Sequence, residues 1–196
     1  MQHYLAETDI LNWTHPDVLQ LARQLAGDER DAAIIAKRCF EWVRDEIQHS
    51  YDYRMNPLTC AASDVLKHRT GFCYAKSHLL AVLLRANGIP AGLCYQRLRL
   101  DDEGSPFCLH GLVAAHLPEI GWYRIDPRGN KPGVNAQFTP PREQLAFAVR
   151  FDGEALFQEI WPEPLPIIVR FLQQSIPVEQ AWEQLPDIDI LPSHPV

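Results

Sequence analysis

The stretch from Phe72 to Asn87 limits the fold more than any other part of this chain. Phe72, Ala75, Leu79, Leu80, Ala81, Val82, Leu83, Leu84 and Ala86 put apolar side chains on nearly every side of a helix. A helix without a polar face cannot lie on a surface, so it belongs in the middle of a domain with other elements packed around it. Gly88 and Pro90 stop it, because Gly takes the left-handed turn that ends helices and Pro cannot continue one.

The segments before it also read as helices. Thr14 is the expected N-cap of a first helix ahead of Pro16, with Val18, Leu19, Leu21, Ala22 and Leu25 as its stripe and Gly27 as its end. Asp28 is the expected cap of a longer second helix. There Ile35, Cys39, Trp42, Val43 and Ile47 recur at three and four residues, which makes Cys39 a buried thiol. Tyr51-Asp52-Tyr53 reads as a short strand and Ser63 to Lys67 as a short capped helix. His68 and His78 read as surface or helix-packing residues.

Beyond Pro90 the period changes to two. Ala91–Leu100 is a first strand, Asp101 to Pro106 a turn, the segment of Leu109, Val113 and Leu117 a second strand, and Gly121–Asp126 a third. Residues Leu145 to Phe151 read as a returning strand after a long loop over the sheet. Helices followed by an antiparallel meander predict an α+β domain, with helices packed on a sheet. The 196 residues make one domain over residues 1–150. Residues 151–196, rich in proline, form an arm packed on that domain or on a second copy in a homodimer.

Charge and cysteine usage narrow the partners. The net charge is −7 and no run of Lys or Arg exists, which argues against nucleic acid and anionic membrane surfaces. No segment approaches the ~18 apolar residues of a membrane span, and the N-terminus shows no basic start followed by an apolar run. The five cysteines are odd in number and irregularly spaced, as expected of free thiols in a reducing compartment, the cytoplasm by default.

Cys73 stands apart from the other four. With Thr70 as N-cap it is the third residue of the central helix, where free amides and the positive end of the dipole stabilise a thiolate. The same amides can donate to an oxyanion. Gly71 would let a substrate backbone come close. A cysteine nucleophile needs a base, and the base an orienting group. A hairpin folded about Pro118 sets His110 directly opposite Asp126, with Cβ atoms ~4.5–5.5 Å apart. Cys108 shares parity with His110. Arg128 either holds a substrate carboxylate or is a solvated loop charge. Tyr51 or Tyr53 is a candidate oxyanion donor, though a packing role suits either better, and Trp122 reads as core.

The run Gly71-Phe72-Cys73-Tyr74-Ala75-Lys76-Ser77-His78, continuing to Arg85-Ala86-Asn87-Gly88-Ile89-Pro90-Ala91, resembles the transglutaminase-like superfamily, as do His110-Gly111-Leu112-Val113 and Gly121-Trp122-Tyr123-Arg124-Ile125-Asp126-Pro127. The resemblance spans about residues 30 to 130 and is that of a single-domain, bacterial-type member. It implies a papain-like fold and a Cys73–His110–Asp126 triad. The implied chemistry is acyl transfer or hydrolysis of an amide or peptide bond, through a thioester on Cys73, in a protein or peptide-like substrate. It implies no cofactor and no metal. The sequence departs from the family pattern at Gly111-Leu112 and at Arg128, and nothing in it resembles the calcium sites of animal crosslinking members. The competing readings are a binding module that kept the fold without turnover and, more remotely, a metal site on Cys73, Cys108 and His110, whose spacing matches no usual zinc pattern.

Overall fold

The structure, a computed structural model, describes residues 1–101 and 106–189. The chain runs α1 (Pro16–Ala26), α2 (Ala32–Glu46), β1 (Gln48–His49), α3 (Ala62–His68), β2 (Thr70–Gly71), α4 (Cys73–Ala86), β3 (Ala91–Arg99), β4 (Phe107–Leu117), β5 (Gly121–Ile125), β6 (Gln137–Thr139), β7 (Arg142–Gln144), β8 (Ala155–Leu156), α5 (Pro166–Leu172) and α6 (Val178–Trp182). Most of the expected turn over Asp101 to Pro106, and the end of the arm from residue 190, lie outside the described residues.

α4 is the hub. Every residue from Cys73 to Arg85 is buried, and α1, α2, α3, β3 and β4 all contact it. Its leucines each contribute roughly 1.5–3 kcal/mol by leaving water. Its polar side chains bond to the shell around the helix. Lys76 Nζ donates to the carbonyls of Arg44 and Ile47, two of the carbonyls at the end of α2. Arg85 donates to the carbonyls of Ala6, Ala91 and Pro162. His78 is a core residue, its Nδ1 2.8 Å from the Cys60 carbonyl oxygen, and burial pushes its imidazole down to about 4.

The main sheet has the order β5-β4-β3-β8 and is antiparallel throughout. One face, with Leu93, Tyr95, Leu109, Val113, Ala115, Tyr123 and Ile125, joins the core around α4. The other buries Cys94, Leu112 and Ala114 beneath Trp122, Leu145, Leu156 and Ile160, so Trp122 covers this second, smaller core.

Several local expectations shift. Thr14 does not cap α1; its hydroxyl and amide both go to Glu7, and His15 holds the cap position. α2 is capped by Asp31, whose carboxylate accepts from the amides of Ala33 and Ile34, rather than by Asp28. Tyr51-Asp52-Tyr53 is a turn, closed by Tyr53 N–H on the His49 carbonyl, and the strand is instead Gln48–His49, parallel to Thr70–Gly71. Leu145 to Phe151 forms no strand, because its backbone is spent elsewhere: Ala146 N–H donates to Asp126 and the Phe147 carbonyl accepts from Gln96. β8 takes the sheet edge in its place, opposite Gln96 and Arg97.

The arm packs on its own chain. Leu93 and Trp161 exchange backbone bonds of 2.7 and 2.8 Å, and Leu165, Ile168, Phe171, Val178 and Ala181 bury in the core that holds α4. Further on, Leu109 N–H donates to the Pro186 carbonyl at 2.7 Å, and Arg97 grips Asp187 with two bonds of 2.8 and 2.7 Å.

Candidate active site

Cys73 is the first residue of α4 rather than the third. Thr70 belongs to β2, and Phe72 holds the cap position in extended backbone without a side-chain cap. The first amides of α4 are therefore left uncapped by any side chain, and the nucleophile candidate sits on the positive end of the helix.

Gly111 explains how β4 comes so close. A Cβ there would meet Tyr74 Cδ1 at 2.9 Å and Tyr74 Cα at 3.1 Å. Without one, the strand lies against the first turn of α4, Gly111 N–H points at Cys73 Sγ over 3.5 Å, and the Tyr74 hydroxyl donates to the Leu109 carbonyl. The departure from the family pattern at this position is a packing requirement. Gly71 serves a similar purpose, since a Cβ there would meet Ala75 Cβ at 3.0 Å. This close approach is to the protein's own helix.

His110 and Asp126 meet, although not in the expected register. The β4–β5 turn is Pro118–Glu119–Ile120, with Glu119 at φ +66°, and pairing runs from Leu117↔Gly121 to Val113↔Ile125. Continued one step, it sets Asp126 across from Leu112. The expectation was off by two residues, and a two-residue shift keeps a side chain on its face where a one-residue slip would reverse it. The diagonal pair closes by side-chain reach: His110 Nε2 lies 2.8 Å from Asp126 Oδ2. Asp126 is fully buried and also accepts from the amides of Arg128 (3.1 Å) and Ala146 (3.0 Å).

These contacts set the charges. Burial works against a charged His110, but the charges and hydrogen bonds of Asp126 and Cys73 outweigh it and raise the imidazole to about 10. Burial likewise opposes the Asp126 carboxylate, yet the imidazolium and the two amides keep its pKa below the ordinary value. The pairing thus favours the charged form of His110, with Nε2 on the carboxylate. Burial pushes the thiols of Cys39, Cys94 and Cys108 up to about 12 and that of Cys60 to about 11.

A cavity of about 120 Å³ opens beside Cys73 and His110. Its walls include Phe72, Leu98, Cys108 and Phe147, and Trp182 and Leu185 from the arm. Cys108 is beside the site as expected. Arg128 is neither solvated nor free: it is buried, with both terminal nitrogens on Asp52 at 2.6 and 3.3 Å, and Lys131 joins the same carboxylate at 2.8 Å. Tyr51 stacks on Trp182 and Tyr53 is exposed, and neither lines this cavity.

Sequence reasoning missed His49. It is buried, lines the cavity with Cys73, and also borders a polar cavity lined by Asp52, Lys76 and Lys131. The only sequence signal was a histidine just past the end of α2, which is no signal without the parallel pairing to β2. Among the described residues, no group of three or more His, Cys, Asp or Glu could hold a metal ion. No helix among them is long and apolar enough to cross a membrane.

A cysteine at the start of a buried helix, against a histidine on one strand of an antiparallel sheet and an aspartate just past the end of the next, defines a papain-like α+β protein. Residues 19–127 match the family model of the transglutaminase-like superfamily, and the chain belongs to that superfamily. A protein-glutamine gamma-glutamyltransferase of Pseudomonas aeruginosa is 27% identical over 177 residues, covering 84% of this chain. The chain spans only 25% of that relative's length. Among solved structures, a protein of Cytophaga hutchinsonii described as a candidate cysteine protease shares the fold at TM-score 0.51. It is 18% identical and the match covers 64% of this chain and 40% of that one. The periplasmic domain of TgpA from Pseudomonas aeruginosa matches at TM-score 0.48 and 24% identity, over 63% of this chain and 45% of its own.

Proposed function

We propose that this chain is a cysteine enzyme that cleaves or transfers an acyl group through a thioester on Cys73, with His110 as general base and acid and Asp126 as its orienting group. The observation that carries the reading is the 2.8 Å His110–Asp126 bond beside a cysteine on an uncapped helix N-terminus. Cys73 Sγ attacks an amide carbonyl of a protein or peptide-like substrate, and the carbonyl electrons move onto oxygen. Collapse expels the amine, which takes the His110 proton, and leaves the thioester. His110, now neutral, takes a proton from water or from a second amine as that nucleophile resolves the thioester. The first outcome is hydrolysis and the second transamidation. The names of the relatives, a gamma-glutamyltransferase and a candidate cysteine protease, span these two outcomes. Five free cysteines support a reducing compartment such as the cytoplasm.

The test is the rate of iodoacetamide alkylation of each cysteine against pH, mapped by mass spectrometry, in wild type and His110→Ala. Fast alkylation of Cys73 alone near pH 7, slowed in the variant, is the expected result. A Cys73 no faster than the other four sinks the reading. One feature favours the rival binding module: Trp182 and Leu185 wall the cavity while Pro186 takes the Leu109 amide. Ester or amide turnover that disappears in Cys73→Ala rejects that rival.

A further inference from the structure

Acyl transfer at Cys73 needs a second hydrogen-bond donor for the oxyanion, beside the amides at the start of α4. The Tyr74 hydroxyl already donates to the Leu109 carbonyl, and Tyr95, whose hydroxyl accepts from Leu165 N–H at 3.2 Å, does not line the cavity. The terminal nitrogens of Arg128 are on Asp52. His49 is different. Its Nδ1 is enclosed without a hydrogen-bond partner, 3.7 Å from Asp52 Oδ2, beyond bonding distance. The ring stands edge-on to Phe72 at 5.5 Å, and the residue lines the cavity shared with Cys73 and His110.

The backbone explains why it is there. β1 pairs in parallel with β2, His49 opposite Gly71, and Ser50 N–H donates to the Gly71 carbonyl at 3.2 Å. Two residues later the chain reaches Cys73. Lys76, one turn along α4, holds the Arg44 and Ile47 carbonyls and so fixes the segment that delivers His49.

We propose that His49 is the second oxyanion donor of this site, presenting Nε2–H to the substrate oxygen while Nδ1 stays on the Asp52 side. This rests on Cys73 being the nucleophile. In the step concerned, the Cys73 Sγ–carbon bond forms and the carbonyl π pair becomes the oxyanion, held by the Cys73 amide and by His49. The oxyanion then reforms the carbonyl as the leaving group departs. A neutral imidazole with its proton on Nε2 is the required form; Nδ1 then carries a lone pair, and Arg128 and Lys131, both bonded to Asp52, offset its repulsion by the carboxylate 3.7 Å away. Burial first, and then the positive charge of Arg128, hold His49 well below the ordinary histidine value.

The experiment uses the full chain and two reagents. Acetylation by p-nitrophenyl acetate, read as the burst of p-nitrophenolate above a Cys73→Ala control, passes through an oxyanion. Alkylation by iodoacetamide at saturated carbon does not. His49→Ala is expected to slow the burst about 10²- to 10³-fold and leave Cys73 alkylation at the wild-type rate, which also shows the site is folded. His49→Gln, which keeps an N–H donor but cannot act as a base, is expected to recover much of the burst rate. The proposal is overturned if His49→Ala bursts as fast as wild type, if alkylation falls in parallel with the burst, or if the glutamine variant is no better than alanine. A wild-type protein no faster than Cys73→Ala removes the nucleophile reading itself, and this proposal with it.

Discussion

His110 and His49 line one cavity, both are buried, and each has an aspartate at hand, yet they carry different charges. His110 has Asp126 at 2.8 Å, and no other cationic side chain bonds to that carboxylate among the described residues. The pair outweighs burial and the imidazole rises to about 10. His49 has Asp52 at 3.7 Å, and that carboxylate already serves Arg128 and Lys131, which overcome its own burial and lower it to about 2. Its negative charge is largely spent, so burial and the Arg128 cation prevail at His49. The lesson is that a histidine's charge depends less on having an acidic neighbour than on whether the neighbour is shared. One histidine is equipped to move protons and the other to donate a hydrogen bond without gaining charge.

Breaking the first pair gives the largest effect. Asp126→Asn keeps the shape but removes the charge that selects the imidazolium. The acylation rate is expected to fall on the order of 10⁴-fold, and the His110 resonances in an NMR titration should move to a pKa far below 10. An unchanged His110 titration would contradict the comparison.

Next is the shared carboxylate. Arg128→Met removes the strongest cation acting on His49, so the His49 pKa is expected to rise toward the ordinary value. Asp52 keeps Lys131, so the stability loss should be about 2 kcal/mol, under the 3–5 kcal/mol of a buried pair broken outright. Chemical denaturation and the His49 titration check the two halves.

The pH dependence follows with its sign. His110 is raised in the folded chain, so its stabilising contribution is full below its unfolded value of about 6.5. That contribution is lost as pH rises toward 10. Asp126 is lowered, so its contribution is present above about 4 and lost as pH falls below that. Melting temperature should decline between pH 7 and 10 in wild type and be flatter in His110→Ala.

The smallest effect concerns the arm. Arg97→Ala removes the two bonds to Asp187, a partly exposed pair, and should cost about 1 kcal/mol or less. Exchange of the Leu109 amide, bonded to Pro186, should quicken by more than amides on α4. Equal protection at both would show that the arm and the core open together.

Much of this was legible in the residues. The apolar run after Cys73 placed α4 at the centre, and period-two patterning placed β3, β4 and β5. The parity that puts His110 and Asp126 on one face survived a two-residue error in register. The cap at Thr14 failed because Glu7 takes both its hydroxyl and its amide, and the cap at Asp28 because the Asp31 carboxylate meets the first amides of α2. The strand expected over Leu145 to Phe151 failed because distant side chains, Gln96 and Asp126, had taken its backbone groups.

What the chain determines by itself is what short-range sterics and solvent preference can carry. These are the buried helix, the alternation of strands, the order of cysteine, histidine and aspartate, and the glycine stop at residue 88. Only the tertiary structure decided that His49 stands beside Gly71, that Arg128 is bound to Asp52, and that Pro186 lies on Leu109. Those contacts join residues far apart in sequence, and their energies exist only once water has been excluded and the charges are close enough to act on one another.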